Sequence, residues 1–256
     1  MLAAERRNLI LEKLQDEKRV VVNELSEQFG VSEETIRRDL DRLDKEGLAT
    51  KTYGGAVLAE NNNTDMPFNV RKKKNMQGKR LMAEIISTLI ADGDHIIVDP
   101  STTAVSIVKA IRDKKRLTIV TNSIEVLVEL ADATGWDVIS TGGTLRENYL
   151  ALVGPRALEG INSFNADKVI LSCKGIDMEK GITDANEMFS QVKRAMLHSA
   201  KQKILAVDST KFEKVAFSQI CEVTDLDMVV TDKRPSEAWM EYFKDKGITC
   251  LYGEEN

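Results

Sequence analysis

The chain is predicted to fold as two parts: a small helical module that ends in a β-hairpin, then a larger α/β domain on a mainly parallel sheet. Three observations carry this expectation. From Val31 to Leu48, VSEETIRRDLDRLDKEGL reads as an amphipathic helix set behind a shorter helix and a glycine turn. The hairpin signal Gly54-Gly55 follows directly. From about Leu81 onward, short apolar strands alternate with amphipathic helices, the pattern of a parallel sheet covered on both faces.

In chain order, Glu5 to Lys18 forms a support helix with Ile10, Leu11 and Leu14 inward. Asn23 is expected to cap a short second helix, with Leu25 and Phe29 one turn apart, that stops at Gly30. Ser32 is then well placed as an N-cap, because its hydroxyl accepts one of the first free N–H groups. Ile36, Leu40 and Leu43 fall at i, i+4 and i+7 and make one narrow apolar stripe. Thr35, Arg38, Arg42 and Lys45 follow the same period on another face, with Arg37 beside them, and that face holds no acid. Glu34, Asp41 and Asp44 occupy the third face, and Gly47 supplies the stop. Helix, tight turn, helix is the geometry that sets the second helix into a DNA major groove. The alternating stretch Ala49 to Leu58 forms a wing that brings Lys51 and its tip to the sugar–phosphate backbone. A winged helix-turn-helix is therefore expected over residues 1–58.

Charge does not advertise this. The chain carries a formal net charge of −5, and residues 1–58 hold ten Lys/Arg against twelve Asp/Glu. DNA binding must rest on the local face, not on a basic coat. Cys173, Cys221 and Cys250 are widely spaced, odd in number and without metal-ligand spacing, which fits reduced cytosolic thiols. The opening MLAAERRNLI has no apolar signal core, and no apolar run approaches the ~20 residues of a membrane span. A cytoplasmic protein with no membrane partner is expected.

Residues 59–67 read as a polar linker closed by Pro67, within a connecting region of 59–80. Arg71, Lys72, Lys73, Lys74, Lys79 and Arg80 follow, either a solvated helix face or a phosphate contact. The α/β domain then spans 81–256. Its strands are expected at 95–98, 117–120, 137–140, 168–171, 203–207, 227–230 and 249–251, with helices at 81–91, 103–112, 124–133, 188–200 and 237–246. No GxGxxG follows the first strand, so no dinucleotide cofactor is implied.

In parallel sheets ligands bind at the carboxyl ends of the strands. Four polar segments fall there: Asp99-Pro100-Ser101-Thr102-Thr103, Thr121-Asn122-Ser123, Gly142-Gly143-Thr144 with Arg146, and Asp208-Ser209-Thr210-Lys211. Each alone is an ordinary helix cap. Together they offer hydroxyls, amides, an acid and cations, a set suited to a polyhydroxylated, phosphorylated small molecule.

The run TIRRDL, Thr35 to Leu40, followed by RLDKEGLATKTYGGA, resembles the N-terminal signature of the DeoR family of bacterial transcriptional regulators, and later segments extend the resemblance over nearly the whole chain. Tyr53 stands where many members carry His before the two glycines. The resemblance implies a C-terminal Rossmann-like sensor domain, similar to ribose-5-phosphate isomerase, that binds phosphorylated sugars. By position, Asp99, Thr102 and Thr103 match Asp-x-Gly-Thr-Thr, with Ser101 in place of the glycine. Asn122 and Ser123 match Thr-Asn-Ser; Gly142, Gly143 and Arg146 match Gly-Gly-x-x-Arg. Gly175, Gly181, Glu187 and Lys193 match a further segment, and Lys211 matches the Asp-Ser-x-Lys lysine. Ser32, Thr35, Arg37, Arg38, Arg42, Lys45, Lys51 and Tyr53 are the expected DNA-binding residues.

The implied function is a DNA-binding regulator, a repressor of a carbohydrate-catabolism operon released by a sugar phosphate. Its expected partners are operator DNA, that effector and further copies of the chain in a dimer or tetramer. The alternative is a sugar-phosphate isomerase-like enzyme with an accessory nucleic-acid module. An isomerase needs a carboxylate base, for which Asp99, Asp208 and Glu187 are candidates. His95 on a strand and His198 on a helix suit structural roles. No catalytic residue, metal or cofactor is assigned.

Overall fold

The computed structural model of the protein describes residues 1–59, 66–146 and 149–253. It comprises two compact units, Met1–Lys74 and Asn75–Asn256. Residues 60–65 of the expected linker lie outside the described residues.

The first unit runs α1 (Ala3–Glu17), β1 (Arg19–Val21), α2 (Val22–Phe29), α3 (Glu33–Lys45), β2 (Ala49–Thr52), β3 (Gly55–Leu58) and α4 (Phe68–Lys73). The apolar stripes meet as their spacing requires. Ile10, Leu11 and Leu14 of α1 pack with Leu25 of α2 and with Ile36, Leu40 and Leu43 of α3, and Val70 of α4 joins them. Ser32 caps α3, its hydroxyl accepting from Thr35 N at 3.3 Å. The Asn23 cap does not form: α2 starts at Val22 with Val21 as its N-cap. Its first amide donates instead to the carbonyl of Gly54 in the wing turn, at 2.9 Å.

That wing also differs from its expected register. Thr52 pairs with Gly55, so the two-residue loop is Tyr53-Gly54, and Gly55 is already in strand. β3 lies between β2 and the three-residue β1 in an antiparallel sheet. A Cβ on Gly55 would fall 2.0 Å from the Val20 carbonyl oxygen, so only glycine lets β1 close on the wing here.

Beneath this sheet and helix frame lies an ion pair that no local pattern announces. Arg6 Nε of α1 donates to Asp39 Oδ2 of α3 at 2.5 Å, and both side chains are buried. Arg7 reaches the other oxygen at 3.5 Å. The interaction fixes α1 against α3.

The second unit opens with α5 (Met76–Leu89). It continues β4 (His95–Val98), α6 (Thr102–Ala110), β5 (Thr118–Thr121), α7 (Ile124–Glu129), β6 (Asp137–Ser140), β7 (Thr144–Arg146), β8 (Ala151–Val153), α8 (Pro155–Asn162) and β9 (Ala166–Leu171). Then come β10 (Gly175–Asp177), β11 (Gly181–Asp184), α9 (Glu187–His198), β12 (Ala200–Ala206), β13 (Ser218–Cys221), β14 (Met228–Thr231), α10 (Glu237–Lys246) and β15 (Thr249–Tyr252). The seven strands expected from sequence form one sheet in the order β15-β14-β12-β9-β4-β5-β6, parallel throughout. Chain order reverses between β4 and β9, the switch point at which the carboxyl-end loops part and leave a crevice. The hairpin β7–β8 and the antiparallel sheet β10-β11-β13 were not expected. Their strands run only three or four residues, too short for alternation to register.

The basic stretch 71–80 is divided between the two units. Lys73 pairs with Glu12 at 2.8 Å in the first, while Arg80 pairs with Glu84 at 2.8 Å and Lys79 is buried in the second.

Removing one partner of a buried ion pair leaves an uncompensated charge, at a loss of about 3–5 kcal/mol. Asp39→Ala should therefore destabilise the first unit by that amount. Both tryptophans, Trp136 and Trp239, lie in the second unit. A urea titration should show the far-UV circular dichroism of the variant moving to lower urea while its tryptophan transition stays in place. Movement of both together would show that the units unfold as one.

Candidate functional site

The cations of α3 are presented to solvent, but its three arginines are already engaged. Arg37 donates to Glu33 at 2.6 Å, Arg38 to Glu34 at 3.2 Å and Arg42 to Glu46 at 2.5 Å. The acid-free face expected from the helical wheel is thus not kept, because a guanidinium reaches one full turn along the helix. Such exposed pairs contribute about 0–1 kcal/mol, so phosphates or base edges can displace the acids. Lys45 is exposed beside them. Ser32 and Thr35 face each other, hydroxyl to hydroxyl at 3.0 Å.

The acids of the third face hold the wing. Lys51 N donates to Asp44 Oδ1 at 3.0 Å, and the Lys51 ammonium hydrogen-bonds Asp41. That bond keeps the Asp41 carboxyl below its usual range. Tyr53 stands fully exposed at the wing tip.

In the second unit the carboxyl ends of β4, β9 and β11 converge on one buried amine. Lys193, on the inward face of α9, places Nζ 2.6 Å from Asp184 Oδ2, 3.2 Å from Asp99 Oδ2 and 2.6 Å from the Ser172 carbonyl. Burial alone would depress the lysine, but Asp184 and Asp99 outweigh it and hold the amine above the ordinary lysine range. Burial likewise pushes Asp184 up, and Lys193 more than offsets this, leaving its carboxyl below the ordinary value. The ammonium group donates to Asp184 and the Ser172 carbonyl and ion-pairs with Asp99, so its charge is already balanced by two carboxylates.

Asp99 is equally committed. Its Oδ1 accepts Ser101 N at 3.1 Å, and its Oδ2 accepts Ser172 N at 2.9 Å and ion-pairs with Lys193. Ser101 caps α6 by accepting Ala104 N at 3.0 Å, with Thr102 and Thr103 buried in the first turn. Asn122 donates to the Leu152 carbonyl at 2.8 Å, while its buried Oδ1 has no partner among the described residues. Ser123 caps α7. Gly142 and Gly143 lead from β6 into the β7–β8 hairpin; at φ 119, Gly143 would set a Cβ 2.7 Å from the Val153 carbonyl. Arg146 is exposed beside Met188, and Gly175 pairs with Thr183. Glu187 hydrogen-bonds Ser218 and pairs with Arg194; the Ser218 bond lowers its carboxyl. Glu187 and Lys193 thus face different partners.

Lys211 behaves differently from Lys193. It closes the short turn Ser209–Lys211 after β12, is half-buried, and makes no ion pair among the described residues. Lys193, Asp184, Lys211 and Asp208 all act electrostatically on the buried Cys173 thiol, so the ends of β9 and β12 share one neighbourhood. Burial raises that thiol far above the reactive range. Sequence reasoning missed Asp184, Ser172 and Cys173. Asp184 ends a strand too short to notice, and Ser172 acts through its backbone. No group of His, Cys, Asp and Glu among the described residues is arranged to hold a metal ion.

Comparison with known proteins agrees with both halves. Residues 6–62 match the family model of the DeoR-like helix-turn-helix domain, and residues 74–233 match the DeoR C terminal sensor domain. The uncharacterized HTH-type transcriptional regulator YulB of Bacillus subtilis (strain 168) is 37% identical over 97% of this chain and 96% of its own. The glycerol-3-phosphate regulon repressor of Escherichia coli (strain K12) is 30% identical over 97% of this chain and 98% of its own. Among solved structures, ribose 5-phosphate isomerase A of Methanocaldococcus jannaschii covers 54% of this chain and 55% of its own at 11% identity, with a TM-score of 0.40.

The Lys193 cluster has a pH signature. Asp184, with its depressed folded value, contributes stability above its unfolded value that is lost as pH falls through the folded one. Lys193, with its raised value, contributes below its unfolded value and loses this only as pH rises through the folded one. The second unit should hold its stability between those limits, across neutral pH. In Lys193→Met, burial acts on Asp184 unopposed, so a loss of about 3–5 kcal/mol at pH 8 should shrink by pH 5 as a carboxyl protonates. Urea unfolding followed by tryptophan fluorescence at both pH values measures this. Equal losses at both would show that Lys193 does not balance the carboxylates.

Proposed function

The chain belongs to the DeoR family of transcriptional regulators, and from this premise we propose that it represses a carbohydrate-catabolism operon until a phosphorylated sugar binds its sensor domain. It is a DNA-binding regulator and not an enzyme. Repression is supported by a relative named as the repressor of a glycerol-3-phosphate regulon. The work is cytoplasmic, and a homo-oligomer, dimer or tetramer, sets two or more winged modules on spaced half-sites.

The observation that carries the effector reading is the contrast between the two lysines. Lys193 is spent on Asp99, Asp184 and the Ser172 carbonyl, whereas Lys211, beside that cluster, has no carboxylate among the described residues. A phosphate arriving at the strand ends finds its counter-charge in Lys211. The hydroxyls of Thr102 and Thr103 and the amide of Asn122 serve the sugar, with Ser101, Ser123, Gly142, Gly143, Arg146, Gly175 and Glu187 shaping the rim. Asp99 has both oxygens occupied, which also removes the best candidate for an isomerase base. Binding shifts the regulator only by the difference in effector affinity between its DNA-competent and released forms.

On the DNA side, Ser32, Thr35, Arg37 and Arg38 at the start of α3 meet base edges, and Arg42, Lys45, Lys51 and Tyr53 meet the backbone. Arg38→Ala should weaken binding to the operator by about 1–3 kcal/mol while changing binding to scrambled duplex little. Arg42→Ala should weaken both alike. Fluorescence anisotropy separates these outcomes, and unchanged affinity in both variants would remove α3 from the interface. On the effector side, Lys211→Ala should lose a charge-assisted contact of about 1.5–3 kcal/mol. The variant should bind operator normally yet need roughly ten- to a hundredfold more sugar phosphate for release. A release titration with glycerol 3-phosphate, glucose 6-phosphate and fructose 1-phosphate tests this. Release of wild type and variant at equal concentrations would move the phosphate away from Lys211.

A further inference from the structure

The chain passes from one compact unit to the other at the Lys74–Asn75 bond. Asn75 sits there at φ 47 and ψ 50, in the left-handed region. Side-chain-bearing residues adopt that region rarely, asparagine and aspartate with the least penalty. Its side chain is held at both ends. Oδ1 accepts Gly78 N at 3.2 Å and so caps α5, while Nδ2 donates to Asp232 Oδ2 at 2.9 Å. Gly78 makes the contact possible, because a Cβ there would lie 2.6 Å from both Asp232 Oδ2 and Asn75 Nδ2.

Asp232 is 6% exposed and follows β14 at the carboxyl edge of the sheet. Its second oxygen, Oδ1, accepts Ser209 N at 2.7 Å, in the turn that carries Lys211. A single buried carboxylate therefore joins the turn assigned to the effector's phosphate to the residue where the chain leaves the sensor unit. Breaking either bond strands an oxygen of the buried Asp232 carboxylate.

We propose that Asp232 is a positioning residue: its bond to Asn75 holds the left-handed backbone where the chain enters the sensor unit, operator affinity depends on that bond, and movement of the Ser209–Lys211 turn releases it. Affinity for operator then falls with the fraction of molecules in which the bond is open. The direction in which an effector acts rests on the sugar-phosphate reading above. The dependence of operator affinity on the bond does not.

The test uses the full chain, no effector, and a duplex selected by the wild-type chain from a random library. Asn75→Asp keeps the tolerance for left-handed backbone and an oxygen for Gly78 N, but sets a carboxylate against Asp232. Its operator Kd should rise about tenfold. Combining Asn75→Asp with Asp232→Asn exchanges donor and acceptor: Asn at 232 donates to Asp at 75, and its oxygen still accepts Ser209 N. The double variant should regain wild-type affinity. Should Asn75→Asp fail to fold by circular dichroism, Asp232→Asn takes its place against the same double variant. A merely structural bond would move the unfolding midpoint and leave operator affinity alone. Wild-type affinity in the single variant, or no recovery in the double, overturns the proposal. Because no sugar phosphate is present, either outcome is distinct from failure of the effector reading.

Discussion

The sensor unit is organised around one buried ammonium group. Lys193 is buried; its ammonium group donates to Asp184 and the Ser172 carbonyl and ion-pairs with Asp99. Those acceptors sit at the ends of β11, β4 and β9, so one side chain of α9 ties the antiparallel sheet to the two central strands of the parallel one. The tie is made where the strand order reverses, at the point where the loops would otherwise part. Two carboxylates and one amine leave the cluster a net negative charge, which disfavours an anion at its centre. The neighbouring Lys211, by contrast, makes no ion pair among the described residues.

The same reasoning, applied to the DNA-reading unit, explains how a chain of net charge −5 can bind a polyanion. Its cations are not massed on a basic surface; Arg37, Arg38, Arg42 and Lys51 stand along α3 and the wing, each in an exposed ion pair with an acid. Long-range attraction is weak under these conditions, so loose association with arbitrary DNA gains little. Close fit to base edges must supply the rest. The buried pair of Arg6 and Asp39 holds α1 behind α3, and Asp41 and Asp44 hold the wing beside it, so the reading surface is rigid before it meets DNA.

Function is thus divided between two sets of polar groups with opposite designs. The α3 and wing set is exposed and self-paired, so its ion pairs are weak. The Lys193, Asp99 and Asp184 set is buried and mutually bonded. Asp232 belongs to the second kind, yet its two oxygens reach two different segments, which makes it the place where a change at the strand ends is felt at the junction.

Local pattern was enough to place the apolar stripe of α3, the Ser32 cap, the Gly47 stop and the seven strands of the parallel sheet. Periodicity records which residues must be buried, and caps and glycines record where helices end. The four strand-end segments were also legible, since parallel sheets put their polar loops on one edge. Pairings between distant residues were not. Arg6 and Asp39 are 33 positions apart, and nothing around either residue marks it as buried. Lys193 was assigned to the effector by its match to the family's segment, which gives it a place and not a partner; only the fold brings Asp99 and Asp184 to it. Gly55 was taken for a turn residue, whereas the approach of β1 makes glycine necessary there. The sequence by itself determined which surfaces are hidden and which segments are polar. The tertiary structure decided which charges neutralise one another, because a charge chooses its partner by distance in space and not along the chain.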